Sequence, residues 1–276
     1  MSGVLPFLFL MTSAFADSTL NDSLQNLGST EVHAASVADW KDTALSKVLP
    51  LGDSIRDDDG LGLQRALQKQ LGFTETMYYQ APLLLRGLSG NRILVSRDGL
   101  RQENSYPAGY MIHSENVGAL GVVHLEKGMG SVRYGSGAIA GTIDLGSVQF
   151  VPEARLESRL SAGYGTNAKD KNLSDRFLWT RENLGLQLYV RGRWAENYHY
   201  AQGEVAENTD LQEKDGAWDL EWRLDDHQKI RYDGSVHRGG PFGKPRGFTG
   251  TWYLIARTPS EDIDRHVLSY EWLGKG

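Results

Sequence analysis

The run Arg86-Gly87-Leu88-Ser89-Gly90-Asn91-Arg92-Ile93-Leu94-Val95-Ser96-Arg97-Asp98-Gly99-Leu100-Arg101 decides how the rest of the chain is read. Ile93 to Val95 is a short apolar run bounded by turn formers, which predicts a buried strand. Asp98-Gly99 follows it and is a strong hairpin signal, because both residues tolerate the positive φ that a tight two-residue turn needs. A second glycine-punctuated block comes later, as Leu125-Glu126-Lys127-Gly128 and Tyr134-Gly135-Ser136-Gly137-Ala138-Ile139-Ala140-Gly141-Thr142-Ile143-Asp144. Glycine at that density predicts tight turns and close backbone approaches between short strands.

The two blocks resemble the plug domain of TonB-dependent outer-membrane receptors. That family carries a segment of the form (I/L)RG…NR(V/I)LV…DG(V/L)R, followed by VEVLKG…SxxYGSxAxGGxIN. Both occur here in order, and Arg86, Gly87, Asn91, Arg92, Asp98, Gly99, Lys127, Gly128, Tyr134, Gly135, Gly137 and Gly141 carry the match. The departures are His124 for a usual acid, Met129 for proline, Ala140 for the first glycine of the pair and Asp144 for asparagine. The resemblance implies an α+β plug domain that corks a transmembrane β-barrel.

Composition sets wide bounds. The chain has 276 residues, 29 Lys and Arg against 35 Asp and Glu, and a net charge of −6, so no basic face for nucleic acid is implied. It has no cysteine, hence neither disulfides nor thiolate metal sites. Glycine (32), tyrosine (12) and tryptophan (7) are plentiful. Mean hydropathy is −0.42. Beyond the N-terminus no apolar run reaches the ~20 residues of a membrane helix. These totals suit a soluble β protein and an outer-membrane barrel alike, since alternating strands average out as polar.

From the start, Val4 to Met11 is apolar and Ala14-Phe15-Ala16 is a small-x-small cleavage site, which reads as a signal peptide over 1–16. No Lys or Arg precedes the apolar run. Residues 17–41 are polar and aperiodic and read as a flexible arm. In the resembling family this arm contacts TonB by strand addition; Thr30-Glu31-Val32-His33-Ala34 is the nearest candidate segment, and a plain linker is the simpler reading. A plug domain is expected over 42–152. Leu63, Ala66, Leu67 and Leu71 stand at helical spacing, with Gly72 as a stop.

From about Arg155 the chain alternates. Leu156, Leu160, Ala162 and Tyr164 interleave with Glu157, Arg159, Ser161 and Gly163. Leu184 to Trp194 interleaves with Gly185, Gln187, Tyr189, Arg191 and Arg193. Trp218 to Leu224, Ile230 to Val236 and Leu268 to Trp272 follow the same rule, and Arg176 to Glu182 reads as a weaker strand. Charge on one face and Leu, Trp and Tyr on the other suit a wet lumen and a lipid exterior. Short joints near Asn183 and Asp226-His227 and longer ones after the first, third and fifth strands match a barrel with short periplasmic turns. The expected fold class is therefore an α+β plug followed by the first ~6 antiparallel strands of a transmembrane β-barrel over 153–276. Six strands cannot close a barrel, so the sequence reads as part of a longer receptor. A soluble or secreted β-rich binding protein with a plug-like module is the alternative.

No catalytic constellation, phosphate loop or metal spacing is legible, so an enzyme is not implied and no cofactor is expected. Within a closed lumen a buried arginine needs a carboxylate, and the resembling family pairs plug arginines with barrel glutamates. The expected pairs join Arg86 and Arg133 to Glu157, Glu221 or Asp219. Tyr106, Tyr110 and His113 lie in an aromatic loop between the two blocks, which in the family rises toward the external face. They are the ligand candidates, since imidazole and phenolate ligate haem iron and aromatics stack on catecholates; an unliganded loop histidine is the simpler reading. Trp194, Tyr198, His199 and Tyr200 read as an interfacial aromatic girdle. The resemblance implies TonB, an iron-siderophore or haem ligand, and outer-membrane lipid as partners, in the Gram-negative cell outer membrane.

Overall fold

The structure is a computed structural model. It describes residues 46–50, 63, 67, 70, 73–74, 84–102, 115, 117–128, 134–243 and 257–272. The expected signal peptide, the N-terminal arm, Arg133 and the Tyr106, Tyr110 and His113 loop lie outside the described residues.

The first sheet has five strands: β1 (Ser46–Pro50), β4 (Ile93–Arg97), β5 (Leu100–Arg101), β6 (Leu120–Lys127) and β7 (Gly141–Ser147). Their order is β1-β6-β7-β4-β5, with β4 and β7 parallel and the other pairs antiparallel. A separate two-stranded ladder joins β2 (Phe73–Thr74) to β3 (Leu84–Leu85). Every residue of β4 is buried, as a strand enclosed on both faces requires. Ile93, Val95, Val123, Leu125, Ile143 and Leu145 fill the core. Leu63 and Leu67, one helical turn apart, complete it at 1% and 0% exposure.

The glycine blocks act as turns, as expected. Asp98 (φ 49) and Gly99 (φ 78) both occupy the left-handed region, closing β4 onto β5. Asp98 then ties the hairpin to β7: its carboxylate accepts from the Ser147 amide at 2.8 Å and the Ser147 hydroxyl at 2.7 Å. Asp144 does the reverse, accepting from Ser96 Oγ at 2.5 Å and the Gly99 amide at 2.9 Å. The aspartate that departs from the family pattern thus holds the turn through charge-assisted bonds. Arg86 (φ 56) and Gly87 (φ 76) form a second such turn, bracketed by reciprocal bonds between Leu85 and Leu88. The two motif blocks are stitched together where Arg101 donates to the Ser136 carbonyl at 2.8 Å and the Ala140 amide to the Arg92 carbonyl at 2.9 Å.

His124, another of the departures, sits buried on β6 opposite Asp144. Burial lowers its pKa below 6.5, against the opposing pull of Asp144 and Asp98.

The second sheet has six antiparallel strands in the order β15-β12-β11-β10-β9-β8. They are β8 (Arg155–Gly165), β9 (Asp170–Arg181), β10 (Leu184–Ala195), β11 (Leu211–Asp225), β12 (Gln228–Gly239) and β15 (Glu261–Trp272). A short ladder, β13 (Phe242–Gly243) with β14 (Arg257–Thr258), lies between β12 and β15 in sequence. Apart from the β13–β14 ladder, consecutive strands are neighbours, and the sheet leaves β8 and β15 as open edges. Among the described residues no helix is long and apolar enough to cross a membrane, which says nothing of a barrel.

One expectation is corrected. The weaker strand placed at Arg176 to Glu182 runs from Asp170, leaving only residues 166–169 between β8 and β9. The connection after the first strand is therefore short. Polar residues occupy both faces of this part of β9, with Lys171 and Asp175 alternating against Asn172 and Ser174, so hydrophobic periodicity does not reveal it.

Two outcomes test this account. A Cβ at Gly141 (φ 154) would lie 2.3 Å from the Glu126 carbonyl oxygen and 2.9 Å from Leu85 Cδ2. Gly141→Ala should cost about 3 kcal/mol, whereas Gly87→Ala, with open space around it, should cost about 1 kcal/mol of backbone strain. Urea midpoints of the two variants would measure the difference. For His124 the unfolded chain binds more protons than the folded one at mildly acid pH. Stability is therefore complete above 6.5 and declines as pH falls through it, by at most about 1.4 kcal/mol per pH unit, and His124→Gln should remove that part of the decline.

Candidate functional site

The site is the inward face of the six-stranded sheet and the first sheet docked on it. The two faces of the large sheet are opposite in chemistry. Leu156, Leu160, Val190, Leu220 and Leu268 point outward and are exposed, Leu268 at 74%. Gln187, Arg193, Glu213, Asp219, Glu221, Arg231, Asp233 and His237 point the other way and are buried, Glu213 at 0%. Such inversion would be costly in a water-surrounded sheet.

Burying so much charge demands pairing. Arg191 bridges Glu213 at 2.5 Å and Asp215 at 3.1 Å, and Asp215 also holds His237 Nδ1 at 2.7 Å. Arg193 binds both oxygens of Asp170, at 3.0 and 2.6 Å. The register sets Asp219 directly opposite Asp233, a destabilising juxtaposition by itself. Each is rescued on a diagonal, Asp219 by Arg231 and Asp233 by Arg265 at 2.7 Å.

The first sheet and its linker meet this wall through backbone and side chain. Gln187 Nε2 donates to the Ala119 carbonyl at 3.1 Å. Thr180 Oγ1 donates to the Glu153 carbonyl at 2.6 Å, Arg231 Nη2 to Val148 at 3.4 Å, and Arg223 to the Phe150 carbonyl. Two glycines make the fit. The Tyr189 ring occupies the place a Cβ on Gly118 would need, and the Phe150 ring does so at Gly185. Tyr189, Ala119 and Ala217 form the small apolar contact between the sheets.

The acids expected to receive plug arginines all have partners within the wall. Glu157 pairs with Arg155 at 2.5 Å and Arg176 at 3.3 Å, and Glu221 with Arg223 at 3.0 Å and Lys229 at 3.7 Å. Asp219 is held by Arg231. Arg86 stands exposed on its turn, and among the described residues no ion pair joins it to these acids. The first sheet's buried ion pair is instead Arg97–Glu115, at 3.3 Å. Sequence reading passed over Arg97, Gln187 and Tyr189. The period of two did place Gln187 and Tyr189 on the inward face, and that was the available signal.

At the loop end, Trp194 is exposed on the outward face of β10. Tyr198 and Tyr200 pack edge to face at 5.6 Å between ring centres. The His199 amide donates to Asn167 Oδ1 at 2.6 Å, which fixes this connection against the β8–β9 turn. Among the described residues no group of His, Asp and Glu could hold a metal ion.

Comparison with known proteins agrees with this geometry. The family model described as the TonB-dependent Receptor Plug Domain matches residues 52–142. This stretch is a TonB-dependent receptor plug domain. The chain is 35% identical over 97 residues to the vitamin B12 transporter BtuB of Vibrio vulnificus (strain CMCP6), which is 35% of this chain and 16% of that protein. A ferric enterobactin receptor (PfeA) of Pseudomonas aeruginosa, solved with enterobactin, superposes with a TM-score of 0.61 at 15% identity, over 85% of this chain and 40% of that one. The copper transporter OprC superposes at 0.57 and 19% identity, over 71% of this chain and 30% of that one. The chain thus spans well under half the length of these relatives. Its large sheet is part of the barrel fold that follows the plug in such receptors.

The plug and wall should separate energetically. Removing Arg231 alone leaves Asp219 buried without a counter-charge and should cost about 3–5 kcal/mol. Arg231→Met combined with Asp219→Leu should recover most of that loss, as read from urea midpoints of the folded protein.

Proposed function

We propose that this chain is the plug and adjoining wall of a TonB-dependent outer-membrane receptor that imports a large nutrient, an iron complex such as a ferric siderophore or haem. The observation that carries the reading is the plug docked on a charged inward wall whose outward face is apolar. In this reading the sheet continues into a closed barrel, because open edges at β8 and β15 would leave N–H and C=O groups unpaired in hydrocarbon, at several kcal/mol each. The barrel spans the Gram-negative outer membrane, with the 182–183 and 226–227 turns toward the periplasm and the 196–210 and 240–260 connections outside.

The plug's part is to close the lumen until it is loaded. Its hold on the wall is polar and divided among Gln187, Thr180, Arg223 and Arg231, each bonding a carbonyl of the plug or its linker. Such bonds exchange for water at a net cost of about 1 kcal/mol each for Gln187 and Thr180 and about 2 kcal/mol each for the two arginines. The plug can therefore move as lumen water enters, while the ion pairs within the wall keep the cylinder intact. Ligand bound at the outer side shifts the plug, the N-terminal arm becomes available on the periplasmic side, and TonB pulls on it. Tyr106, Tyr110 and His113 are the proposed outer ligand contacts, and Arg86 and Arg133 the proposed plug arginines that steady it.

Cobalamin is the second candidate ligand, because the 35% identical relative carries the name of a vitamin B12 transporter and the match covers a plug-sized stretch. Deleting the gene should abolish growth on one of a ferric siderophore, haemin or limiting cobalamin, and deleting TonB should abolish the same growth. A gene deletion that leaves all three uptake assays unchanged would refute the reading.

A further inference from the structure

We propose that the outward face of β9, β10 and β11 docks a second copy of this chain, with Asp175 of each copy held against Lys214 of the other. The proposal rests on the membrane orientation given under Proposed function.

Asp175 is the residue that points there. It is an outward residue of β9 and shares a cross-strand row with Leu160, Val190 and Gly216. The row of Tyr164, Lys171 and Trp194, whose aromatic rings mark the edge of the hydrocarbon, lies four residues away along β9. Asp175 therefore stands roughly 13 Å of strand inside that edge. The outward acids of β15 have a cation, Asp264 and Asp262 lying 2.7 and 3.9 Å from Arg238. Asp175 accepts from the Ser158 hydroxyl at 3.5 Å and has no cation among the described residues. Because β8 and β10 flank β9, no further strand of the same sheet comes beside it. An ionisable group at membrane depth is rare and is normally met by a partner of opposite charge.

Lys214 is its counterpart. It is exposed on the outward face of β11 and has no acid partner among the described residues. The register sets it directly opposite Arg238, a like charge whose own acid is Asp264. Lys214 lies two strands and one row from Asp175, roughly 12 Å between Cα atoms. One face thus carries an unmatched acid and an unmatched base, on either side of β10.

The ground between them suits contact with another protein surface. Leu188 and Val190 of β10 are both exposed, Val190 at 58%. Beside Val190, Gly216 leaves a notch, since a Cβ there would meet Val236 Cγ2 at 3.1 Å and the Tyr189 carbonyl oxygen at 3.9 Å. Small residues at such a point let two membrane-embedded surfaces approach closely. Symmetry selects the occupant. A two-fold axis along the membrane normal and through β10 keeps every residue at its own depth and brings β9 of each copy toward β11 of the other. Asp175 then faces the partner's Lys214, whose flexible stem spans the remaining row, and Val190 meets its own image. A partner bearing a cation alone would satisfy Asp175 and leave Lys214 unmatched. A second copy satisfies both, twice, in one contact.

The test uses the intact receptor in outer membranes, with protease protection read first for every variant. The chain has no cysteine, so Val190→Cys supplies a single thiol at the axis. Copper-phenanthroline oxidation should convert this variant to a disulfide-linked dimer on non-reducing gels. Leu268→Cys, outward on β15 and exposed at 74%, should stay monomeric. Adding Asp175→Lys to Val190→Cys should cut the dimer at least tenfold, and adding Lys214→Asp as well should restore it. Equal cross-linking at positions 190 and 268 would overturn the proposal. So would a dimer yield that Asp175→Lys leaves unchanged, or one that the double reversal fails to restore. A wild-type protein that fails to insert refutes the membrane reading, and this proposal with it. Insertion without a dimer at position 190 refutes the proposal alone.

Discussion

The structure depends on pairing charge across strands on the inward face of one sheet. Arg191 with Glu213 and Asp215 and Arg231 with Asp219 are buried, and the half-buried Arg265 reaches the buried Asp233. No member of these pairs could be buried alone. Once they are paired, the face can be polar and buried, and the apolar residues are free to point outward. The usual relation of core to surface is thereby inverted in the large sheet, while the plug beside it keeps an ordinary apolar core of Leu, Ile and Val.

The same pairing explains how two sheets of such different kind can share a surface. Wall charges satisfy one another, so the plug need not neutralise them. It offers carbonyls at Ala119, Val148, Phe150 and Glu153, Gly118 where the wall's Tyr189 ring comes close, and the Phe150 ring that lies against the wall's Gly185. Adhesion of that kind is specific in shape and modest in strength.

Much of this was legible in the sequence. Each block of glycines marked a turn that the structure forms, and Asp98-Gly99 takes the positive φ values its dipeptide announces. The alternation of β8, β10, β11, β12 and β15 assigned inward and outward residues correctly, since a period of two leaves no other choice once one face is known. The upper half of β9 was not legible, because Lys171 and Asp175 put charge on the outward face where apolar residues were the cue. Pairing partners were less legible still. A one-dimensional pattern says that Glu221 and Arg231 share a face, but the register decides that Arg231 reaches diagonally to Asp219 while Glu221 turns to Arg223. Arg97 was hidden for a different reason: at the end of an apolar strand it looks like a solvated boundary residue, and only the fold brings Glu115 to it.

In the proposed receptor, one face of the six-stranded sheet meets lipid and the other meets the plug. The chain has no cysteine, so single cysteines can be introduced without background. Nitroxide labels placed in turn at residues 184 to 194 of the membrane-inserted receptor should show oxygen accessibility alternating with a period of two. It should be high at positions 184, 188, 190 and 194 and low at 185, 187, 189, 191 and 193. High accessibility to a water-soluble paramagnetic reagent at Leu188 and Val190, or no alternation at all, would contradict the account.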